Sequence, residues 1–174
     1  MINLGSNSIL TELPWLGSDT VITYPSVITC ITVTCVCGST LVGCHLFYGN
    51  SNEKTLEDMQ AFGAKAKGAS KMYLVGMLDS WGSGVRNRTG LRFADGSLVQ
   101  ALRESCAYTG TILVYNTSSE SEVEIRADYV SASTAQIAYT PGSSSSAVTL
   151  RTSDFTLGAS NVIKTSSGDS CNIM

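Results

Sequence analysis

Two residues of this chain, Cys30 and His45, could do nucleophilic chemistry together. A thiol needs a neighbouring base to become a good nucleophile near neutral pH, and imidazole is the usual one. His45 is the only histidine, so any imidazole chemistry must use it. Both residues lie in VITCITVTCVCGSTLVGCHLF, residues 27–47, the most apolar run of the sequence, which also holds Cys35, Cys37 and Cys44. Val, Ile and Thr predict strands on either side of Gly38-Ser39, a pair that suits a two-residue hairpin loop. With that loop, Cys37 faces Thr40, Thr32 faces His45 and Cys30 faces Phe47. Side chains alternate between the two faces of a strand pair. Cys30, Thr32 and Thr34 then share one face with Gly43, His45 and Phe47, while Ile31, Val33, Cys35, Val42, Cys44 and Leu46 fill the other. The second face reads as core. The first places thiol and imidazole on diagonal neighbours, which long side chains can bridge, and Gly43 is expected to leave open space beside His45. The competing reading of the same residues is a buried hairpin whose cysteines are small hydrophobes.

At 174 residues the chain is long enough for one domain with a real core. A hydrophobic content of 43% and a charged content of 14% describe an ordinary, rather apolar globular protein. The net charge of −3 and the scattered Lys and Arg argue against a nucleic-acid partner. MINLGSNSIL has neither a basic start nor a long apolar run, so neither a secretory leader nor a membrane-spanning helix is expected there. Four cysteines crowded onto both faces of one hairpin suit a disulfide scaffold poorly. Cys35-x-Cys37 with Cys44-His45 invites a zinc reading, but structural zinc sites prefer C-x₂₋₄-C knuckles on turns. Reduced thiols in a cytosolic setting fit better.

The elements that must position the pair follow from pattern. Leu10, Leu13, Trp15 and Leu16 are expected to pack on the core. Val21–Tyr24 reads as a short strand stopped by Pro25. Ser51-Asn52-Glu53 opens a helix whose apolar residues Leu56, Met59, Phe62 and Ala66 recur at helical spacing, with Gly68 as its C-terminal cap. Lys71–Leu78 reads as a buried strand. Asp79–Gly90 is a Gly-rich loop carrying Trp81, Arg86 and Arg88. Asp95 or Ser97 caps a second helix with Leu98, Ala101, Leu102 and Cys106 on its apolar stripe. Residues 111–115 read as a strand, and 122–130, 134–140 and 147–152 alternate as antiparallel strands do. The layout is α+β: a β-sandwich core with two helices packed outside. Residues 1–157 form a single domain, and 158–174 a flexible polar tail.

Val21–His45 resembles the active-site hairpin of the cysteine-dependent glutamine deamidases, a group that includes bacterial chemotaxis-receptor deamidases and the catalytic domains of cytotoxic-necrotizing-factor-like toxins. A threonine, here Thr23, precedes the cysteine, and Val42-Gly43-Cys44-His45 supplies the Gly-rich step to the histidine. The Cys30-x14-His45 spacing matches the toxins. The resemblance implies a hydrolase, a protein-glutamine deamidase (glutaminase) with Cys30 as nucleophile, His45 as general base and acid, and Thr23 or a nearby carbonyl orienting the imidazole. It implies backbone N–H groups near Cys30 as oxyanion donors and no cofactor or metal. The partner would be a protein carrying the reactive glutamine, such as a small GTPase, and the setting a bacterial effector or toxin acting in host cytoplasm.

Trp81, with Arg86 and Arg88, is expected to border the cleft and grip that target, since Trp and Arg dominate binding hot spots. Cys171-Asn172-Ile173-Met174 fits the C-a-a-X prenylation pattern, with Met favouring farnesyl, so membrane association through Cys171 is expected. Two other readings stay open: a transglutaminase or other thiol hydrolase using the same dyad, and a non-catalytic binding module of the same fold. Fast alkylation of Cys30 is expected of either enzyme.

Overall fold

The central hairpin forms as its sequence predicts. Strand β4 (Ile31–Cys37) turns through Gly38-Ser39 into β5 (Thr40–Leu46), with Gly38 at φ +62° and Thr32 paired with His45. Positive φ is the conformation that such a turn demands and glycine supplies. The computed structural model of the protein describes residues 1–8, 12–81 and 90–158. One sheet has the order β1 (Ile2–Asn3), β3 (Val21–Val27), β8 (Val123–Ser131), β9 (Thr134–Pro141), β10 (Val148–Thr149). The other has the order β11 (Thr156–Gly158), β7 (Ile112–Asn116), β6 (Lys71–Gly76), β4, β5, β2 (Leu16–Asp19). The hairpin thus lies inside its sheet, with β6 on one side and β2 on the other.

The fold is α+β in three layers. Ile22, Tyr24, Leu41, Val75, Ile125 and Ile137 fill the space between the two sheets. Helices α1 (Asn52–Lys65) and α2 (Ser97–Cys106) cover the opposite side of the six-stranded sheet, where Met59, Phe62, Leu98 and Leu102 meet Ile31, Val33, Leu74 and Val114. The helices cross closely enough that a Cβ on Gly63 would collide with the Ser105 carbonyl. Both faces of β4 and β5 are therefore interior. Apolar burial of this kind contributes about 25 cal/mol per Å², and it holds the hairpin from both sides.

Element ends differ from the pattern-based expectations for local reasons. Pro25 does not stop β3. The register on β8 slips between Tyr24↔Ile125 and Val27↔Val123, and Ser26 takes φ +53°. Pro25 therefore sits in a bulge, where its missing N–H costs no ladder bond. Helix α1 begins as expected, with the Ser51 hydroxyl accepting from Lys54 N–H at 3.2 Å, but its cap is Ala66, two residues ahead of Gly68. Asp95 Oδ1 accepts from the Ser97 N–H at 2.9 Å, and Gly96 is the α2 cap. The strand expected to reach residue 78 ends at Gly76 and passes into a 3₁₀ turn, Leu78–Trp81. Among the described residues no helix is long and apolar enough to cross a membrane.

Candidate active site

Alternation puts Cys30, Thr32, Thr34 and His45 on the face of the hairpin that looks into the sandwich, as read from the sequence. That face is not open. His45, Thr32 and Thr34 are buried and Cys30 is 5% exposed. Nor does Gly43 leave a space: a Cβ there would collide with Tyr24 Oη and press on Ile22 and Leu4. Gly43 makes room for Tyr24, whose hydroxyl hydrogen-bonds Thr34 Oγ1 at 2.7 Å and whose ring meets the His45 ring edge-on at 6.0 Å.

The N-terminal segment supplies what the hairpin lacks. Leu4 is buried, and its carbonyl lies 2.9 Å from His45 Nδ1. A carbonyl can only accept, so Nδ1 carries the proton and Nε2 presents its lone pair. Among the described residues, Nε2 is the one buried side-chain nitrogen or oxygen without a hydrogen-bond partner. Two residues further on, Ser6 lies near enough to the Cys30 thiol to favour its thiolate, as does Thr29. One short segment therefore touches both members of the pair. Asn7 fixes it: its N–H donates to the His45 carbonyl at 3.0 Å, and its Oδ1 accepts from Phe47 N–H at 2.6 Å.

Burial sets the resting protonation. It pushes the Cys30 thiol up to about 11, against hydrogen bonds from Thr29 and Ser6 that favour the thiolate. It pulls His45 down to about 4, against the Leu4 carbonyl that favours the cation. At neutral pH the pair is thus thiol plus neutral imidazole. Desolvation disfavours both charged forms and outweighs the hydrogen bonds. The fast alkylation expected from the sequence does not suit such a thiol.

Other elements clamp Cys30 from the far side. Its carbonyl accepts from Met77 N–H at 3.0 Å, just beyond β6. Gly76 there has φ +151°, and a Cβ would sit 2.6 Å from the Cys30 carbonyl oxygen. Only glycine permits that approach. The turn after β6 is tied down by Asn116, whose Oδ1 accepts from Leu78 N–H at 3.2 Å.

Two expected roles are corrected. Thr23 does not orient the imidazole. It alternates with the core residues Ile22 and Tyr24, so its side chain faces the outer side of β3, and only its carbonyl connects, accepting from Leu4 N–H at 2.8 Å. Trp81 is not a surface anchor. It is fully buried, and its indole N–H donates to the Thr29 carbonyl at 3.3 Å. It braces the residue before Cys30. Leu10, Arg86, Arg88, Cys171 and the 159–174 part of the expected tail lie outside the described residues. The residues that sequence reasoning missed are Leu4, Ser6 and Asn7. Their only signal is Gly5-Ser6-Asn7, small and polar residues of the kind whose side chains bond neighbouring backbone.

Cys35, Cys37, Cys44 and Cys106 are free thiols, the first three on the helix-facing side of the hairpin. Among the described residues no three His, Cys, Asp or Glu side chains gather as metal ligands do. No protein-family model matches the chain, and no curated protein matches it.

Proposed function

We propose that this chain is a cysteine-dependent protein-glutamine deamidase with Cys30 as nucleophile and His45 as its base. The observation that carries the reading is the His45 ring. Leu4 fixes its tautomer, and its Nε2 is buried, without a partner, and on the face that Cys30 shares. An unpaired buried nitrogen costs about 1–3 kcal/mol, and a role in proton transfer is a reason for such a group to be kept.

Cys30 Sγ attacks the carboxamide carbon of a glutamine side chain while its proton passes to His45 Nε2. The tetrahedral intermediate expels ammonia, which takes that proton back, and leaves a thioester. Water then attacks, giving its proton to Nε2, and the thioester breaks to glutamate and the restored thiol. Neutral imidazole and protonated thiol are the starting states this sequence needs. It is general-base catalysis rather than a standing ion pair. Hydrogen bonds from Thr29 and Ser6 to the sulfur favour the thiolate as its proton leaves. The resemblance of the hairpin to deamidases that act on proteins supports a protein substrate, with a small GTPase as the first to try.

Incubating a purified small GTPase with the wild type and with Cys30→Ala, followed by peptide mapping, tests the reading. Gln→Glu conversion by the wild type alone is expected. Incorporation of a labelled primary amine in place of hydrolysis would make the protein a transglutaminase.

A further inference from the structure

The dyad rests on a segment that Asn7 ties down through both its backbone and its side chain. Asn7 makes four hydrogen bonds. Its N–H donates to the His45 carbonyl at 3.0 Å, and its carbonyl accepts from Asn50 Nδ2 at 3.4 Å. Its Oδ1 accepts from Phe47 N–H at 2.6 Å, and its Nδ2 donates to Asp58 Oδ2 at 2.7 Å. The last partner is unusual. Asp58 is on α1, its side chain is only 4% exposed, and its other oxygen is paired with Lys54 one turn earlier. A buried carboxylate is costly unless its charge is met by donors, so Asp58 and Asn7 hold each other in one arrangement. Three residues before Asn7 is the Leu4 carbonyl on His45 Nδ1, and one residue before it is the Ser6 hydroxyl on Cys30.

We infer that Asn7 is the positioning residue of the Cys30–His45 pair, and that Asp58 couples helix α1 to the imidazole through it. The inference rests on the deamidase reading for its catalytic consequence but not for its structural one. With Asn7 in place, the Leu4 carbonyl meets Nδ1 and the imidazole has one tautomer and one orientation. Without its side chain, the segment keeps its backbone bond to His45 but loses those to Phe47 N–H and to Asp58 on α1, Leu4 leaves Nδ1, and either ring nitrogen can carry the proton. Asn7 touches neither the thiol nor the expected substrate, so its effect is on geometry. Misplacing a reacting group by about 1 Å costs on the order of 100-fold in rate.

The chain has one histidine, so its imidazole nitrogen signals in an NMR spectrum need no assignment. The wild type is expected to show a single tautomer with a slowly exchanging Nδ1 proton. Asn7→Ala is expected to lose that proton signal, mix the tautomers and slow Gln→Glu conversion about 100-fold. Asn7→Asp sets two carboxylates against each other and should do the same. Adding Asp58→Asn to Asn7→Asp rebuilds an amide-to-carboxylate hydrogen bond with the roles exchanged. It should restore the Nδ1 signal and bring the rate back to within about 10-fold of wild type, half of the lost orientation on a logarithmic scale. A His45 spectrum unchanged in Asn7→Ala overturns the inference. So does failure of the double variant to restore a signal lost in Asn7→Asp, and that comparison serves where Asn7→Ala does not fold. If the His45 signals behave as stated while even the wild type converts no glutamine, the positioning role stands and the deamidase reading falls.

Discussion

The two faces of the β4–β5 hairpin are equally buried and chemically unlike. The helix face holds Ile31, Val33, Cys35, Val42, Cys44 and Leu46, and its thiols are packing groups. Burial raises Cys35 and Cys44 well above the ordinary thiol value. The sandwich face holds Thr32, Thr34 and His45, each with a placed partner: Val75 carbonyl for Thr32 at 2.9 Å, Tyr24 for Thr34, Leu4 for His45. Burial raises Cys30 on that side to about 11, with hydrogen bonds from Thr29 and Ser6 working against it. Exposure therefore does not tell the proposed nucleophile from the packing cysteines here. What surrounds the sulfur does.

The largest effect that tests this contrast is on activity. Cys30→Ala should lower Gln→Glu conversion at least about 10³-fold, roughly 4 kcal/mol of transition-state stabilisation. Cys35→Ala and Cys44→Ala should leave it nearly intact and instead lower unfolding stability by about 1–2 kcal/mol, through lost packing. An inactive but fully stable Cys44→Ala, measured by the same two assays, would reverse the assignment of the faces.

Next is Gly76, which abuts the backbone of Cys30 and Ile31. Its φ of +151° and the 2.6 Å that would separate an alanine Cβ from the Cys30 carbonyl oxygen leave no room for a side chain. Gly76→Ala should cost about 2–4 kcal/mol in urea unfolding, from backbone strain and the forced displacement. Activity should fall further than stability accounts for, because the atoms that move include the Cys30 backbone. Equal loss in Gly76→Ala and in a helix-face control, Gly63→Ala, would blunt the comparison to one of packing.

How far the sequence reached divides along the same line. The hairpin, its turn, its register and both helices were legible because they depend on local pattern: β-branched runs, Gly38, a Ser51 cap, apolar residues at helical spacing. The contents of each face were legible too, since alternation follows from the register. What lies over a face was not. Gly43 reads as a gap until Tyr24, nineteen residues earlier, is found filling it. Trp81 reads as a loop aromatic until its indole is found under Thr29. The Leu4–Asn7 segment carries no periodicity and meets the imidazole through the Leu4 carbonyl, a backbone group with no sequence signature. Long-range docking of that kind is decided by the packing of two sheets, not by local propensity.

The pH dependence of stability sharpens the sandwich face further. His45 stands near 4 in the folded protein and near 6.5 when unfolded. Between those values the unfolded chain binds a proton that the folded chain refuses, so stability rises with pH across the window and is lost as pH falls through it. Each pH unit of separation is worth about 1.4 kcal/mol, so the loss is on the order of 3 kcal/mol. The shifted carboxylates Asp19, Asp95 and Asp154 titrate below 3.8 in the folded state, outside the window. Urea midpoints from pH 7 to pH 4 should slope in the wild type and flatten in His45→Gln. A slope that survives the substitution would mean that other groups set it.

The smallest effect expected is at Trp81, and it separates bracing from bulk. Trp81 is fully buried against the helix-side core while its N–H crosses to the Thr29 carbonyl at 3.3 Å. Trp81→Phe keeps most of the ring and removes the donor, leaving a carbonyl short of a partner, a change worth about 1 kcal/mol. Trp81→Leu removes more volume and should cost about 2–3 kcal/mol. If Thr29 needs the brace to keep its own N–H on the Cys30 sulfur, both variants should lower activity by the same modest factor although their stabilities differ. That equality, read from rates at a temperature where both are folded, would place Trp81 with the sandwich face it reaches. Rates that track stability instead would leave it among the helix-face packing residues.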